Sequence, residues 1–197
     1  MTGLTDWFNA KPGFDQSDIY TIATKNGPSG HAKQDSWSAA LRLLMHYVGD
    51  SHQPLHGTTR LDKEYAEGDR GGNDFPLPSH YGAKELHAVW DKVVYEFSKN
   101  PKLPFDTEGW STQGDQADKL IADHPVSSLG YDVTNLDYNQ WEKESFEIAS
   151  TFVYKGIKEG EKLSDDYVSQ GLKYAEKRIV TAGYRLANLL KSLTHLK

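Results

Sequence analysis

The stretch from Trp37 to Val48 constrains the fold of this chain more than any other. Trp37, Ala40, Leu41, Leu44 and Val48 recur at helical spacing and form one apolar stripe. Leu43, Met45 and Tyr47 fill much of the remaining circumference. A helix that is apolar nearly all round is a buried helix, so this segment is predicted to run through a core. Asp35-Ser36 opens it in the manner of an N-cap. Pro54 ends it, because proline lacks the N–H and clashes with the preceding turn. Polar groups nevertheless crowd its end: the chain reads His46-Tyr47-Val48-Gly49-Asp50-Ser51-His52-Gln53-Pro54-Leu55-His56. At 100° per residue, His46 and Asp50 lie about 180–220° from Trp37 and share a face, being four residues apart.

A second helix is predicted over Lys84 to Lys99, with Leu86, Val89, Trp90, Val93, Val94 and Phe97 as its stripe and His87 and Asp91 at the edge. Residues 57–83, with five Gly and two Pro, read as a loop. Residues 100–135 are loop-rich, with a short helix near Gln116–Ala122. Two further helices carry Trp141, Phe146, Ala149, Phe152 and Val153, and then Tyr174, Ile179, Ala182, Leu186 and Leu189. No strand pattern of comparable strength is present, and residues 1–35 show no long element. The expected class is all-α: a single-domain helical bundle spanning 1–197, with antiparallel helices around one core.

Two His-x-x-x-Asp pairs on helices predicted to be buried, joined by His56 after a proline, are the strongest chemical signal. One such pair alone is more often a hydrogen-bonded pair than a metal site. Two pairs within 46 residues, with a third imidazole, can supply the nitrogen and oxygen ligands that zinc takes at roughly 2.0–2.2 Å. The chain has no Cys, so thiolate sites and disulfides are excluded. A buried carboxylate also needs a cation or hydrogen bonds. His52 lies about 240° round the helix from His46 and is read as structural. His31, His80, His124 and His195 are isolated and read as surface or packing residues. Asp69-Arg70-Gly71-Gly72-Asn73 fits either a ligand-approach loop or a plain turn. Trp90 and Trp141 are read as core.

The net charge is -6 and no basic cluster is visible. A protein handling phosphates with this balance must draw much of its positive field from elsewhere, and divalent metal can supply it. No apolar run is long enough to span a membrane. The opening MTGLTDWFNAKPGFDQSD has no basic patch followed by an apolar stretch, so no signal peptide is expected within it.

HYVGDSHQPLH, DRGGN, LHAVWD, WEKES and AGYRLANLL together resemble the zinc-dependent class I nucleases. That family comprises single-strand-specific nucleases and 3′-nucleotidases, and is distantly similar to bacterial zinc-dependent phospholipase C. The resemblance covers about residues 19 to 192. It implies an all-α fold and a site of three zinc ions. His56, His87 and Asp91 match the ligands of one zinc. His46 and Asp50 match ligands of the two-zinc cluster, with Asp50 bridging. Asn73 lies in a loop near the nucleotide site and is carried over as a substrate contact.

The family's remaining ligands and its water-orienting residues lie further upstream and match nothing before Asp35, Asp6 and Trp7 included. The chain is therefore expected to be a class I nuclease domain shortened at its N-terminal end. The resemblance implies a secreted or periplasmic enzyme that cleaves single-stranded DNA and RNA to 5′-mononucleotides and acts on 3′-nucleotides. It implies no membrane partner and leaves the oligomeric state open. Two alternatives accompany it: a helical zinc-binding protein without catalysis, and a phospholipase C. The sequence speaks against the latter, for want of an exposed apolar stripe.

Overall fold

The computed structural model describes residues 18–26, 32–98 and 102–194. The N-terminal residues with Asp6 and Trp7, as well as His31 and His195, lie outside them. The fold is helical, as expected. Helices α1 (Asp18–Asn26) and α2 (Ala32–Asp50) pack together at the start. A hairpin of β1 (Pro76–His80) and β2 (Ala83–Glu85) leads directly into α3 (Leu86–Asp91). Then come α4 (Thr107–Asp123), the short α5 (Val126–Leu129), α6 (Tyr138–Ile148) with a π-helical turn over Ala149–Val153, and the long α7 (Asp165–Thr194).

Local chemistry explains the helix starts. Asp106 accepts the Gly109 N–H at 2.8 Å at the head of α4. Asp137 accepts the Asn139 N–H at 3.0 Å at the head of α6. Both satisfy backbone donors that a helix start leaves without partners. Helix α2 begins at Ala32, three residues before the expected cap, and Asp35 falls in its first turn, where a carboxylate suits the helix dipole.

Two apolar clusters position the site. Ala40, Leu44 and Val48 of α2 meet Trp141 of α6 and Ala182 and Leu189 of α7. Leu55, Phe75, Leu86, Val89, Trp90 and Val94 pack with Ile148, Val153 and Tyr167. Helix α2 is buried along one stripe and not all round. Met45 is 47% exposed and Tyr47 43%, because the contacts to Trp141, Ala182 and Leu189 fall on Ala40, Leu44 and Val48. Phe146, Tyr174 and Ile179 are exposed as well. Singly exposed apolar side chains of this kind are ordinary on a protein surface.

The helix expected over Lys84 to Lys99 is really three things. Lys84 and Glu85 belong to β2, Leu86–Asp91 is helical, and the chain then reverses hand. Val93, Val94 and Tyr95 take φ of 53°, 49° and 77°, a region that β-branched residues avoid. Both valines are buried in the core, and that burial offsets the backbone cost. The hairpin was missed because it is short and carries two prolines. Its tip, Tyr81-Gly82, has positive φ at both residues, which closes a two-residue turn. The short helix expected near Gln116–Ala122 is the C-terminal part of the longer α4.

Candidate metal centre

The structure brings all five expected metal-binding side chains together. His46 Nε2 lies 3.1 Å from Asp50 Oδ2. The same oxygen lies 3.5 Å from His56 Nδ1. The other nitrogen of that ring, Nε2, is 3.2 Å from Asp91 Oδ1, which in turn is 3.6 Å from His87 Nε2. Imidazoles and carboxylates thus alternate in one line, with His56 bridging the two pairs.

Three of the five close into a compact group. One donor atom from each of His56, His87 and Asp91 lies within 4.8 Å of the others. Zinc with ligands at about 2.1 Å in a tetrahedron sets its donors about 3.4 Å apart, so the distances of 3.2 and 3.6 Å suit it. The donor set, two imidazoles and a carboxylate without thiolate, is one zinc accepts. His46 and Asp50 stand beside this group as a separate pair.

The surroundings hold these side chains in place. His87 Nδ1 is 2.8 Å from the Gly71 carbonyl. The Nδ1–H therefore donates to the backbone, and the Nε2 lone pair faces Asp91. The loop that offers this carbonyl needs glycine. Gly71 has φ of +65°, and a Cβ there would sit 2.3 Å from the Leu55 carbonyl oxygen. Buried Asp69 anchors the same loop, accepting the Arg60 N–H at 2.8 Å and the Tyr154 hydroxyl at 2.8 Å. Gln53 does more than shape a turn: its amide donates to Asp91 Oδ1 at 2.9 Å and its oxygen takes the Leu55 N–H. Asn73 is exposed and donates to the Arg70 carbonyl at 2.8 Å.

Charge at the cluster is mutually reinforcing. The bond to Asp91 pushes the His56 imidazole above its usual pKa, burial opposes the rise, and Asp50 adds to it. For Asp91 burial works against ionisation, but the bonds from His56 and Gln53 prevail and hold its carboxyl below the usual range. A cavity of about 290 Å³ opens beside the cluster, walled by Asp50, His56 and Asp91 on one side and by Val93, Ala175 and Ile179 on another.

His52 is structural, as its helical angle implied. Its Nδ1–H donates to the Val48 carbonyl at 2.8 Å, and its Nε2 accepts from Arg185 at 2.9 Å. Burial first, then the two arginines, depress its pKa to about 3. The network around it escaped the sequence reading. Arg178 and Arg185 of α7 both bond the Glu144 carboxylate, at 2.6 and 2.7 Å. A signal for it exists: Arg178, Ala182, Arg185 and Leu189 share one helical face, so two arginines interrupt an apolar stripe.

The family model described as S1/P1 Nuclease matches residues 18–195. Endonuclease 1 of Arabidopsis thaliana is 34% identical over 159 residues, covering 77% of this chain and 48% of the relative. Endonuclease 4 of the same plant is 31% identical, over 78% of this chain and 50% of its own length. Nuclease P1 of Penicillium citrinum is 24% identical, over 81% and 59%. The chain spans about half the length of the plant relatives it matches. On these matches, the chain belongs to the S1/P1 nuclease family.

Proposed function

We propose that this chain is a zinc-dependent phosphodiesterase that cleaves single-stranded DNA and RNA to 5′-mononucleotides and releases phosphate from 3′-nucleotides. The observation that carries the reading is the convergence of His56, His87 and Asp91 on one point at the rim of a cavity. The relatives named as endonucleases support the class of reaction. In this reading His56, His87 and Asp91 hold one zinc, and His46 and Asp50 contribute to a paired zinc site, three ions in all as the resemblance implies.

Bound zinc supplies a Lewis acid for phosphate oxygens and lowers the pKa of a coordinated water toward about 7. The chain's own residues set the stage for that chemistry. Gly71 fixes the tautomer of His87. Gln53 and His56 share Asp91 Oδ1 and keep its carboxylate ionised and oriented. In this reading the cavity of about 290 Å³ beside Asp50, His56 and Asp91 receives the phosphate. Asn73 retains an amide N–H and its oxygen for a substrate contact after its bond to Arg70.

Among the described residues no helix is long and apolar enough to cross a membrane. Secretion or periplasmic location belongs to the same proposal and rests on the family resemblance. The test is His87→Ala, assayed on single-stranded DNA with metal content measured alongside. Loss of zinc together with nearly all turnover is expected. An active variant with unchanged zinc overturns the assignment. Zinc binding without turnover in the parent chain favours the non-catalytic alternative.

A further inference from the structure

Asp50 and His56 flank a turn whose inner carbonyls rest on a buried arginine. The Ser51 carbonyl accepts the Ser145 hydroxyl at 2.7 Å and Arg178 Nη2 at 3.4 Å. The His52 carbonyl accepts Arg178 Nε at 3.2 Å. The same guanidinium reaches the Trp141 carbonyl at 3.1 Å, Ser145 Oγ at 2.8 Å and Glu144 at 2.6 Å. Arg178 is 1% exposed and Ser145 fully buried. One side chain of α7 thereby ties the turn to Trp141, Glu144 and Ser145 of α6.

Burying an ion pair is costly, and apolar side chains in place of both Arg178 and Glu144 would hold the two helices together as well or better. What an apolar residue cannot do is fix carbonyl directions. Arginine does so with a rigid planar fork of donors. The two carbonyls it grips belong to the residues directly after Asp50, four and five positions before His56. Their orientation sets how those two side chains approach one another. Arg178 also lines the cavity that Asp50, His56 and Asp91 border.

We propose that Arg178, together with Ser145, is a positioning residue for the metal group, clamping the Ser51–His52 backbone so that Asp50 and His56 converge on Asp91 and His87. The inference rests on the reading of that group as a zinc site. Groups that orient metal ligands from behind are worth about 10- to 100-fold in metal affinity.

The experiment uses the full chain with Ser145→Ala and Arg178→Lys, the second keeping the charge but losing the fork. Zinc affinity is measured by competition with a chromophoric chelator, and ligand geometry by the visible absorption of Co²⁺ in place of zinc. Leu129→Ala, in a separate buried cluster with Leu120 and Val180, serves as a control for lost stability. The expected result is zinc binding about tenfold weaker and an altered Co²⁺ spectrum in both clamp variants. Leu129→Ala is expected to melt earlier with affinity and spectrum retained. Parental affinity and spectrum in the clamp variants overturn the inference, as does an equal loss in Leu129→Ala. If Arg178→Lys does not fold, Ser145→Ala decides alone. A parent chain that takes no zinc defeats the metal reading itself, and the clamp with it.

Discussion

His52 and His56 stand four residues apart and are treated in opposite ways. Burial beside two arginines keeps His52 neutral, with a pKa of about 3, while Asp91 and Asp50 pull protons onto His56. The unfolded chain takes up a proton on His52 near its ordinary 6.5. Its contribution to stability is therefore present above that pH and lost as pH falls toward 3. His56 has the reverse sign in metal-free protein: its contribution is present below 6.5 and lost as pH rises through its raised value. Ring chemical shifts followed against pH in metal-free protein check both. His52 is expected to stay flat down to about pH 4.5, and His56 to titrate above 6.5; a His52 midpoint near 6.5 contradicts the burial account. The loop glycine gives a second prediction. Gly71→Ala places a Cβ against the Leu55 carbonyl at a positive φ, and is expected to cost at least about 2 kcal/mol in denaturant unfolding and to loosen His87. The convergence of the five expected side chains was legible in their spacing and residue type. Gln53 was not, because a glutamine in a turn carries no sign of which distant carboxylate it will reach.

At the scale of elements, the long helices were legible in outline, since α2, α6 and α7 all carry stripes with helical period. What escaped was where regularity breaks. The reversal at Val93–Tyr95 has no local signature: no Gly or Pro marks it, and the driving force is burial of Val93 and Val94 in a core assembled from distant residues. The exposed side of α2 was misjudged for a related reason, because residue type alone does not say which neighbours will cover it. The salt-bridged pairing of α6 with α7 yields a prediction of its own. Arg185 is fully buried and makes two bonds to Glu144. Arg185→Met is expected to destabilise the fold by about 3–5 kcal/mol, read from denaturant midpoints. A change below about 1 kcal/mol would show the network to be replaceable by packing alone.

Over the whole molecule, two helical pairs at the site, α2 with its following turn and α3 behind its hairpin, are brought together by packing against α6 and α7. The acidic balance of the chain repels a polyanion, so in the proposed function the attraction for phosphate comes from cations held at the His/Asp group. Zinc at 100 times its Kd is accordingly expected to raise unfolding free energy by about 2.7 kcal/mol, reversibly on chelation. The central claim is that His56, His87 and Asp91 form a zinc site. The most direct test is zinc content per purified chain by elemental analysis, in the parent and in His87→Ala. At least one zinc is expected in the parent and one fewer in the variant. A metal-free parent, or the same zinc content in both chains, would contradict it.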